Sequence, residues 1–572
     1  MRWRLFLVVV LALLVSLFYF EFAFLAQDTH KTDHPNPQVI PPPPAPTFTP
    51  STPTPEISEQ TQPTPTPTPK PPPEWTQCEQ KFGYGMLQAW DSKGAQLCTP
   101  GVKATSELTC RMTIIPDIPI PTQPHTICDG HEIYVDFSRF SPANAPLHRS
   151  GYYLGGPGEL FHYGQGAFSG TCKIEGGRLP ETNFPRVSTP HSKSDITTPP
   201  VFKPQDHLRD IFTSFTSHPA GAAPPAARVI EHPMLLVTRE GNEHKNVFHT
   251  MTDWLNAYIA LYMTHTAPAD VQLLLLDAHP DSPLDPLWQA LFSQKGPILR
   301  AAAMPKQEYL LRRAVFSPPG YSSFFFAYLY STNACPERLA LLQDFASWAL
   351  KTLNIERPAH TVPVVTVSVR RLYGDRATLN RQWGDEAALV EALRAGVPKA
   401  QIKHNPRAHT NPHKRKAQIK RFLPTHPSRT HGRAPGRFVD FGQRIIFMFC
   451  SSLPTHPPTR TAQVVDFGRL TIREQIATAA GTDVLVGVHG AGLTHLLWMG
   501  PQGGLVEVHP KEGVWRCFEN LALWTGLQYH RVMAHGERHI ATGTAVDVNP
   551  SEIVSAVVSM TGRIQATLEK SR

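Results

Sequence analysis

The run Val486-Gly-Val-His-Gly-Ala-Gly-Leu-Thr-His495, followed by Gly504-Leu-Val-Glu-Val-His-Pro510, constrains the fold more than any other stretch of this 572-residue chain. An apolar β-branched run leads into a glycine turn, a helix start follows, and a second β-branched run comes after it. Gly490 and Gly492 let the backbone approach an anion with no Cβ in the way, and the N–H groups opening the next helix supply donors and a positive dipole end. A diphosphate suits such a place, and a nucleotide-sugar site is the natural inference. Taken alone, a short Gly-x-Gly describes a tight strand-to-helix connection equally well. Its surroundings shift the balance: Thr471–Ala480 carries apolar residues at helical spacing, and Thr482–Gly487 is a buried-strand run. Helix, strand, Gly loop, helix and strand in that order predict a Rossmann-like α/β half-domain.

The amino-terminal end has a different character. Arg2 and Arg4 precede Leu5 to Phe20, and the apolar run continues past Glu21 to Ala26. About 20 apolar residues span a bilayer, whereas the core of a cleaved signal peptide runs about 7–15. Phe20-Glu-Phe-Ala-Phe-Leu-Ala26 offers no clean cleavage site. Residues 1–4 then read as a cytosolic tail and 5–26 as a signal anchor, with everything beyond facing a lumen. From 27 to 75 the chain is rich in Pro and Thr, including Pro41-Pro-Pro-Pro44, so it cannot bury a core and reads as an extended stem. A Golgi-membrane type II protein is the expectation, and the nearly 500 residues that remain are enough for two or three domains.

All eight cysteines lie beyond the stem and none forms a Cys-x-x-Cys pair, which predicts some disulfides and no zinc template. Cys335, Cys450 and Cys517 read most simply as buried small side chains. The net charge of +8 does not point to nucleic acid, because eleven Lys/Arg residues crowd into Lys399–Arg437 without interleaved aromatics. That stretch belongs to a basic Pro/His-rich insert, 396–462, in which Lys399-Ala-Gln-Ile-Lys403 recurs at 416–420 and Leu423-Pro-Thr-His-Pro427 at 453–457. Its irregular period excludes a solenoid, and the segment reads as a disordered loop or a gene-model artefact. The one Asn-Pro-Ser, at Asn549, is blocked by Pro550, so no N-glycosylation acceptor is usable.

Sugar transfer from a nucleotide-sugar needs a base for the acceptor hydroxyl and cations for the departing diphosphate. His249 and Asp253 stand four apart in Phe248-His-Thr-Met-Thr-Asp-Trp254, hence on one helix face. Either can serve as the base, Asp253 can instead orient the imidazole, or the pair merely caps and docks the helix. Arg370 and Arg371 follow the strand Val362–Val369, placing a guanidinium at its carboxyl end for a phosphate. Glu507 can accept from ribose hydroxyls or form an internal salt bridge. His489 and His495 flank the Gly loop, His489 toward the nucleotide and His495 toward a structural role. Asp277, Asp281 and Asp285 are separated by Pro280 and Pro283 and read as a loop, not an Asp-x-Asp metal pair. No obligatory metal is expected.

Several of these segments resemble glycosyltransferase family 61. His489-Gly-Ala-Gly-Leu-Thr-His495 with Glu507 looks like the family's signature. Pro233–Arg239, Asn246–Tyr258, Ala314–Tyr321, Val367–Arg371 and Val465–Gln475, with Cys78–Gly85 and Cys128-Asp-Gly130, resemble its plant-type β-1,2-xylosyltransferases, over roughly 76–395 and 463–545. The resemblance implies a GT-B-like fold of two Rossmann-like domains facing a cleft. It implies a Cys-containing region over 76–200, an acceptor-side half over 201–350, a nucleotide-sugar half over 360–395 and 463–545, and a terminal helix over 546–572. The implied reaction moves xylose from UDP-xylose to the core β-mannose of an N-glycan. His249 and Asp253 would be catalytic, with Arg370, Arg371, His489, Gly490, Ala491, Gly492, Thr494, His495 and Glu507 around the donor. Protein O-GlcNAc transfer, xylan pentosyl transfer and a non-catalytic glycan-binding relic remain as alternatives.

Overall fold

The computed structural model describes residues 75–92, 94–113, 125–142, 161–174, 179, 207–219, 228–239, 244–320, 335–372, 378–397, 463–511 and 515–570. All of them lie within the unit Pro73–Arg572. The expected membrane span, the stem and residues 398–462 of the insert fall outside the described residues. Among the described residues no helix is long and apolar enough to cross a membrane.

Two sheets organise this unit. The first contains β1 (Gly94–Cys98), β2 (Glu107–Thr113), β3 (His125–Asp136), β4 (Met234–Val237), β5 (Gln272–Leu275), β6 (Leu299–Arg300) and β7 (Glu308–Phe316). Its spatial order is β1-β2-β3-β7-β4-β5-β6, antiparallel from β1 to β7 and parallel from β7 to β6. The Cys-containing region and the half that follows it therefore share one mixed sheet. Disulfides staple this part: Cys110 and Cys128 are direct partners across β2 and β3, Cys98 pairs with Cys172, and Cys78 pairs with Cys335. Cys335 thus departs from its reading as a lone buried side chain, because the chain folds it back beside Cys78. Cys517 is free and buried, as expected, and Cys450 lies outside the described residues.

The second sheet contains β8 (Val365–Ser368), β9 (Gln463–Val465), β10 (Val484–Val488), β11 (Gly504–His509) and β12 (Gln528–Met533). Its order is β9-β8-β10-β11-β12, parallel throughout. In chain order that is 2-1-3-4-5, a doubly wound arrangement whose switch point lies between β8 and β10. The helices around the sheets are α1 (Val247–Met263), α2 (Ala340–Thr352), α3 (Glu386–Gly396), α4 (Ile472–Ala480), α5 (Cys517–Thr525) and α6 (Pro550–Lys570).

The strand period of two assigns the layers. Along β4, Met234 and Leu236 enter a core with Phe137, Phe168 and Phe316, while Leu235 and Val237 enter a different one. That second core also receives Leu485 and Leu505 from the other sheet, with α1, α2 and α5 between the two. Val484, Val486, Val488 and Val506 point the opposite way, against α3 and α6. The two sheets therefore share a helical layer and one continuous apolar core.

The helix α1 is central to that layer. Asn246 caps it, accepting from the Phe248 N–H at 3.0 Å, and no Gly or Pro interrupts the 17 residues that follow. Met251, Trp254, Leu255 and Leu261 are essentially inaccessible, each large apolar side chain contributing about 1.5–3 kcal/mol by leaving water. The helix predicted at Thr471–Ala480 appears as α4, opened by a capping box in which Thr471 and Glu474 exchange hydrogen bonds.

Candidate active site at the glycine loop

The carboxyl ends of β8 and β10 lie side by side, so the two motifs singled out in the sequence meet at the switch point. β8 runs out into Arg370 and Arg371, and β10 into His489 and Gly490. A Cβ added to Gly490 would stand 3.2 Å from Arg370 Nη1, so the guanidinium lies along the loop backbone. Gly490 is extended, with φ 161°, and its requirement is this close approach, not a left-handed backbone. Gly487, inside the strand, is needed for another reason: a Cβ there would sit 2.7 Å from Leu493 Cδ2 and block the chain from folding back.

Beyond the loop the chain forms a 3₁₀ helix, Ala491–Trp498, where an α-helix was expected. The Leu493 N–H bonds to the Gly490 carbonyl three residues back, the tighter pitch that lets this turn fit between β10 and the shared core. Ala491 and Gly492 are partly exposed at the mouth, and the added Cβ of Gly492 would meet Ser368 Oγ at 3.5 Å. Thr494 and His495 are turned inward. His495 stacks on Phe467 and its Nε2 lies 2.8 Å from Gln475 Oε1. Burial drives its pKa down to about 3, so the ring stays neutral and structural.

The two arginines divide. Arg371 is bound to Glu386 at 2.7 Å, at the start of α3. Arg370 is the one against the loop.

Behind the loop lies a buried polar network. His489 Nδ1 is 2.5 Å from Glu507 Oε1, the Tyr529 hydroxyl donates to Glu507 Oε2 at 2.8 Å, and His509 Nε2 stands 3.2 Å from the same oxygen. Glu507 and His509 are fully inaccessible and His489 is 8 % exposed. Glu507 is thus hydrogen-bonded to its protein partners and stands behind the imidazole. Burial lowers the His489 pKa, against the opposing pull of Glu507. Burial alone would raise the Glu507 carboxyl, but the hydrogen bonds from His489 and His509 outweigh it and hold it low. Near neutral pH this pairs a carboxylate with a neutral imidazole whose Nδ1 carries the proton, leaving Nε2 basic. Two histidines and a carboxylate, with ligand atoms within 4.8 Å of one another, also suit a divalent ion by type. Both Glu507 oxygens already accept hydrogen bonds, so a metal would have to displace Tyr529 and the imidazoles from them.

His249 and Asp253 sit on α1, in the other half. Asp253 is buried, and its Oδ1 accepts from the Gly320 N–H at 2.6 Å. Asn256 Nδ2 donates to the Pro318 and Pro319 carbonyls, so the two side chains pin the Ser317–Gly320 turn onto α1. A Cβ on Gly320 would stand 2.3 Å from Thr252 Oγ1, which closes that position to any other residue. His249 is half-buried and stands edge-on to Phe248, which meets Phe518, which in turn meets His489 at 5.1 Å. Two aromatic rings separate the imidazoles of the two halves.

Four further side chains complete the site. Trp515 stacks on His489 with ring centroids 4.8 Å apart, and the Arg381 guanidinium lies 5.9 Å over the indole. Tyr529 and His509 hold Glu507. Of these His509 was legible, since Glu507 and His509 share one face of a strand at spacing two. The others come from neighbours in space that no spacing announces.

The glycosyltransferase 61 family model matches residues 448–506, the segment that carries the Gly loop and the first half of β11. The chain is 26 % identical to a β-1,2-xylosyltransferase of Arabidopsis thaliana over 57 % of its own length and 56 % of the relative's. A β-1,2-xylosyltransferase of Oryza sativa subsp. japonica is 23 % identical over 54 % of this chain and 50 % of the relative. An EGF domain-specific O-linked N-acetylglucosamine transferase of Drosophila melanogaster is 24 % identical over 50 % and 42 %. The chain spans about half the length of the curated relatives it matches. The Gly loop, the family-model match and the transferase relatives agree in making this chain similar to glycosyltransferase family 61 over the stretches they cover.

Proposed function

We propose that this protein transfers xylose from UDP-xylose to the core β-mannose of N-glycans, forming a β-1,2 linkage with inversion. The observation that carries the proposal is the meeting of Arg370 with the Gly490 backbone at the switch point of the parallel sheet. A diphosphate there meets a guanidinium and a loop with no side chain in the way, which favours departure of the nucleotide. His249 takes the acceptor proton, and Asp253 holds the turn beneath it through Gly320. The GT-B description is part of the proposal, with the mixed sheet on the acceptor side and the parallel sheet on the donor side. So is location: the basic, apolar amino terminus supports a Golgi type II anchor with a lumenal catalytic unit.

The xylosyltransferase relatives favour this donor, and the transferase from Drosophila melanogaster motivates a second reading, transfer of N-acetylglucosamine to protein. The deciding experiment offers UDP-xylose and UDP-N-acetylglucosamine separately, each with an N-glycan and with a folded EGF domain, and reads the product by mass spectrometry. A pentose on the glycan supports the proposal, N-acetylhexosamine on the domain supports the second reading, and no product with any pairing rejects both.

A further inference from the structure

Arg381 has a left-handed backbone with φ 60°, one of four such non-glycine residues among those described. An arginine there is strained, because its Cβ crowds the backbone, and such strain persists only when the surroundings impose it. The strand Leu379–Trp383 pairs with Gly543–Asp547 through a register shift between Leu379 and Gln382, so Arg381 occupies a β-bulge. Bulges re-aim a side chain, and this one is held on both flanks. The Arg381 N–H bonds to Thr544 Oγ1 at 3.0 Å, while two residues on, Trp383 Nε1 donates to the Ser368 carbonyl at 2.8 Å. Ser368 is the last residue of β8, so the bulge is tied to the switch point itself. The Arg381 side chain runs to the face of Trp515, which stacks on His489.

The cation so placed is half-buried and has no carboxylate within salt-bridge distance among the described residues, whereas Arg371 has Glu386. Burial pushes its pKa down, against the opposing charge of Glu537, which makes no salt bridge with it. From the bulge, the strain, the indole platform and the absence of a salt bridge, we infer that Arg381 is a second cation for the donor's diphosphate, held toward the loop by Trp515 and His489. This rests on the nucleotide-sugar reading above and deepens it: the sheet edge supplies one guanidinium, and a strained bulge from another sheet supplies the other.

The test uses the full chain and the variants Arg381→Gly, Arg381→Ala and Arg381→Lys, with calorimetric titration of UDP and UMP and a thermal melt of each. Glycine tolerates φ 60°, so Arg381→Gly melts at or above the wild-type temperature. It also loses about tenfold or more in UDP affinity, the size expected for one charge-assisted hydrogen bond, and UMP affinity falls less. Arg381→Lys recovers part of the UDP affinity that Arg381→Ala loses. A glycine variant that keeps full UDP affinity overturns the assignment, as does an equal loss for UDP and UMP with a lowered melt, which marks a structural role. A wild-type chain that binds no UDP overturns the nucleotide-sugar reading first and this inference with it.

Discussion

Both sheets end in charged residues at the carboxyl tips of parallel strands, yet the two edges differ in what their charges face. At the first edge, beyond β4 and β5, Arg239 is wholly buried and grips Asp277 at 2.7 Å and Asp285 at 3.3 Å. Arg300 meets Asp281 and Asp285. The Asp277 carboxyl is pulled down to about 2: burial would raise it, but the adjoining Arg239 charge prevails. Every carboxylate of the Asp277, Asp281 and Asp285 series thus serves as a counter-ion to an arginine, which is why the series supplies no metal pair. At the second edge Arg371 pairs with Glu386, Arg370 lies against the Gly490 backbone and Arg381 lies over the Trp515 indole. Equivalent positions in two α/β sheets therefore differ in kind: one is an arginine–aspartate lock, and the other sets guanidinium groups against a glycine backbone and an indole.

This contrast is most severely tested at Asp277. Asp277→Ala leaves Arg239 buried without its main partner and is expected to cost about 3–5 kcal/mol in urea unfolding, while the folded fraction still binds UDP. Loss of UDP binding by a folded Asp277→Ala protein would show that the first edge is no mere lock. Second comes acid sensitivity behind the Gly loop. The His495 pKa is about 3 in the folded chain and near the ordinary histidine value of 6.5 when unfolded, so the unfolded state binds more protons between those values. Stability is then fully present above pH 6.5 and falls toward pH 3, by on the order of a few kcal/mol from this one group. His495→Gln, which keeps a nitrogen near Gln475, removes that share of the slope in pH-dependent melts.

Arg370→Ala comes third, with an expected fall of about 10- to 100-fold in UDP affinity by titration and a melt close to wild type. Smallest is Arg371→Ala, whose charge is already spent on Glu386. Its UDP affinity should change by less than about threefold, since a partly exposed ion pair is worth about 0–1 kcal/mol. Equal effects from Arg370→Ala and Arg371→Ala would erase the distinction between the arginine against the Gly loop and the arginine paired with Glu386.

Much of the second sheet was legible because its signals are local. The apolar run before the glycines became β10, the helical spacing of 471–480 became α4, and the helix face shared by His249 and Asp253 belongs to α1. The Gly loop and Arg370 could be singled out as well, since each directly follows a strand. What stayed hidden depends on contacts distant in sequence. Arg381 acquires its place only when its strand pairs with Gly543–Asp547, and Trp515 only when it lies on His489. The direction of the Glu507 carboxylate was equally hidden, because strand alternation gives the face of the sheet but not which neighbours claim the oxygens. The mixed character of the first sheet arises from β3 pairing with β7, a partnership that no local pattern encodes.

The bond between Cys78 and Cys335 closes a covalent ring 257 residues around, and the smaller rings at 98–172 and 110–128 lie inside it. Every strand of the first sheet is within that ring, and every strand of the second lies downstream of it. During synthesis the ring cannot shut until residue 335 has left the ribosome, by which time the first sheet is fully made and the second is not. The two sheets are therefore separable in time: the ring can seal before the Gly loop has left the ribosome. A cut at any one point inside the ring leaves the pieces joined, whereas a cut downstream of Cys335 releases the donor half from covalent linkage.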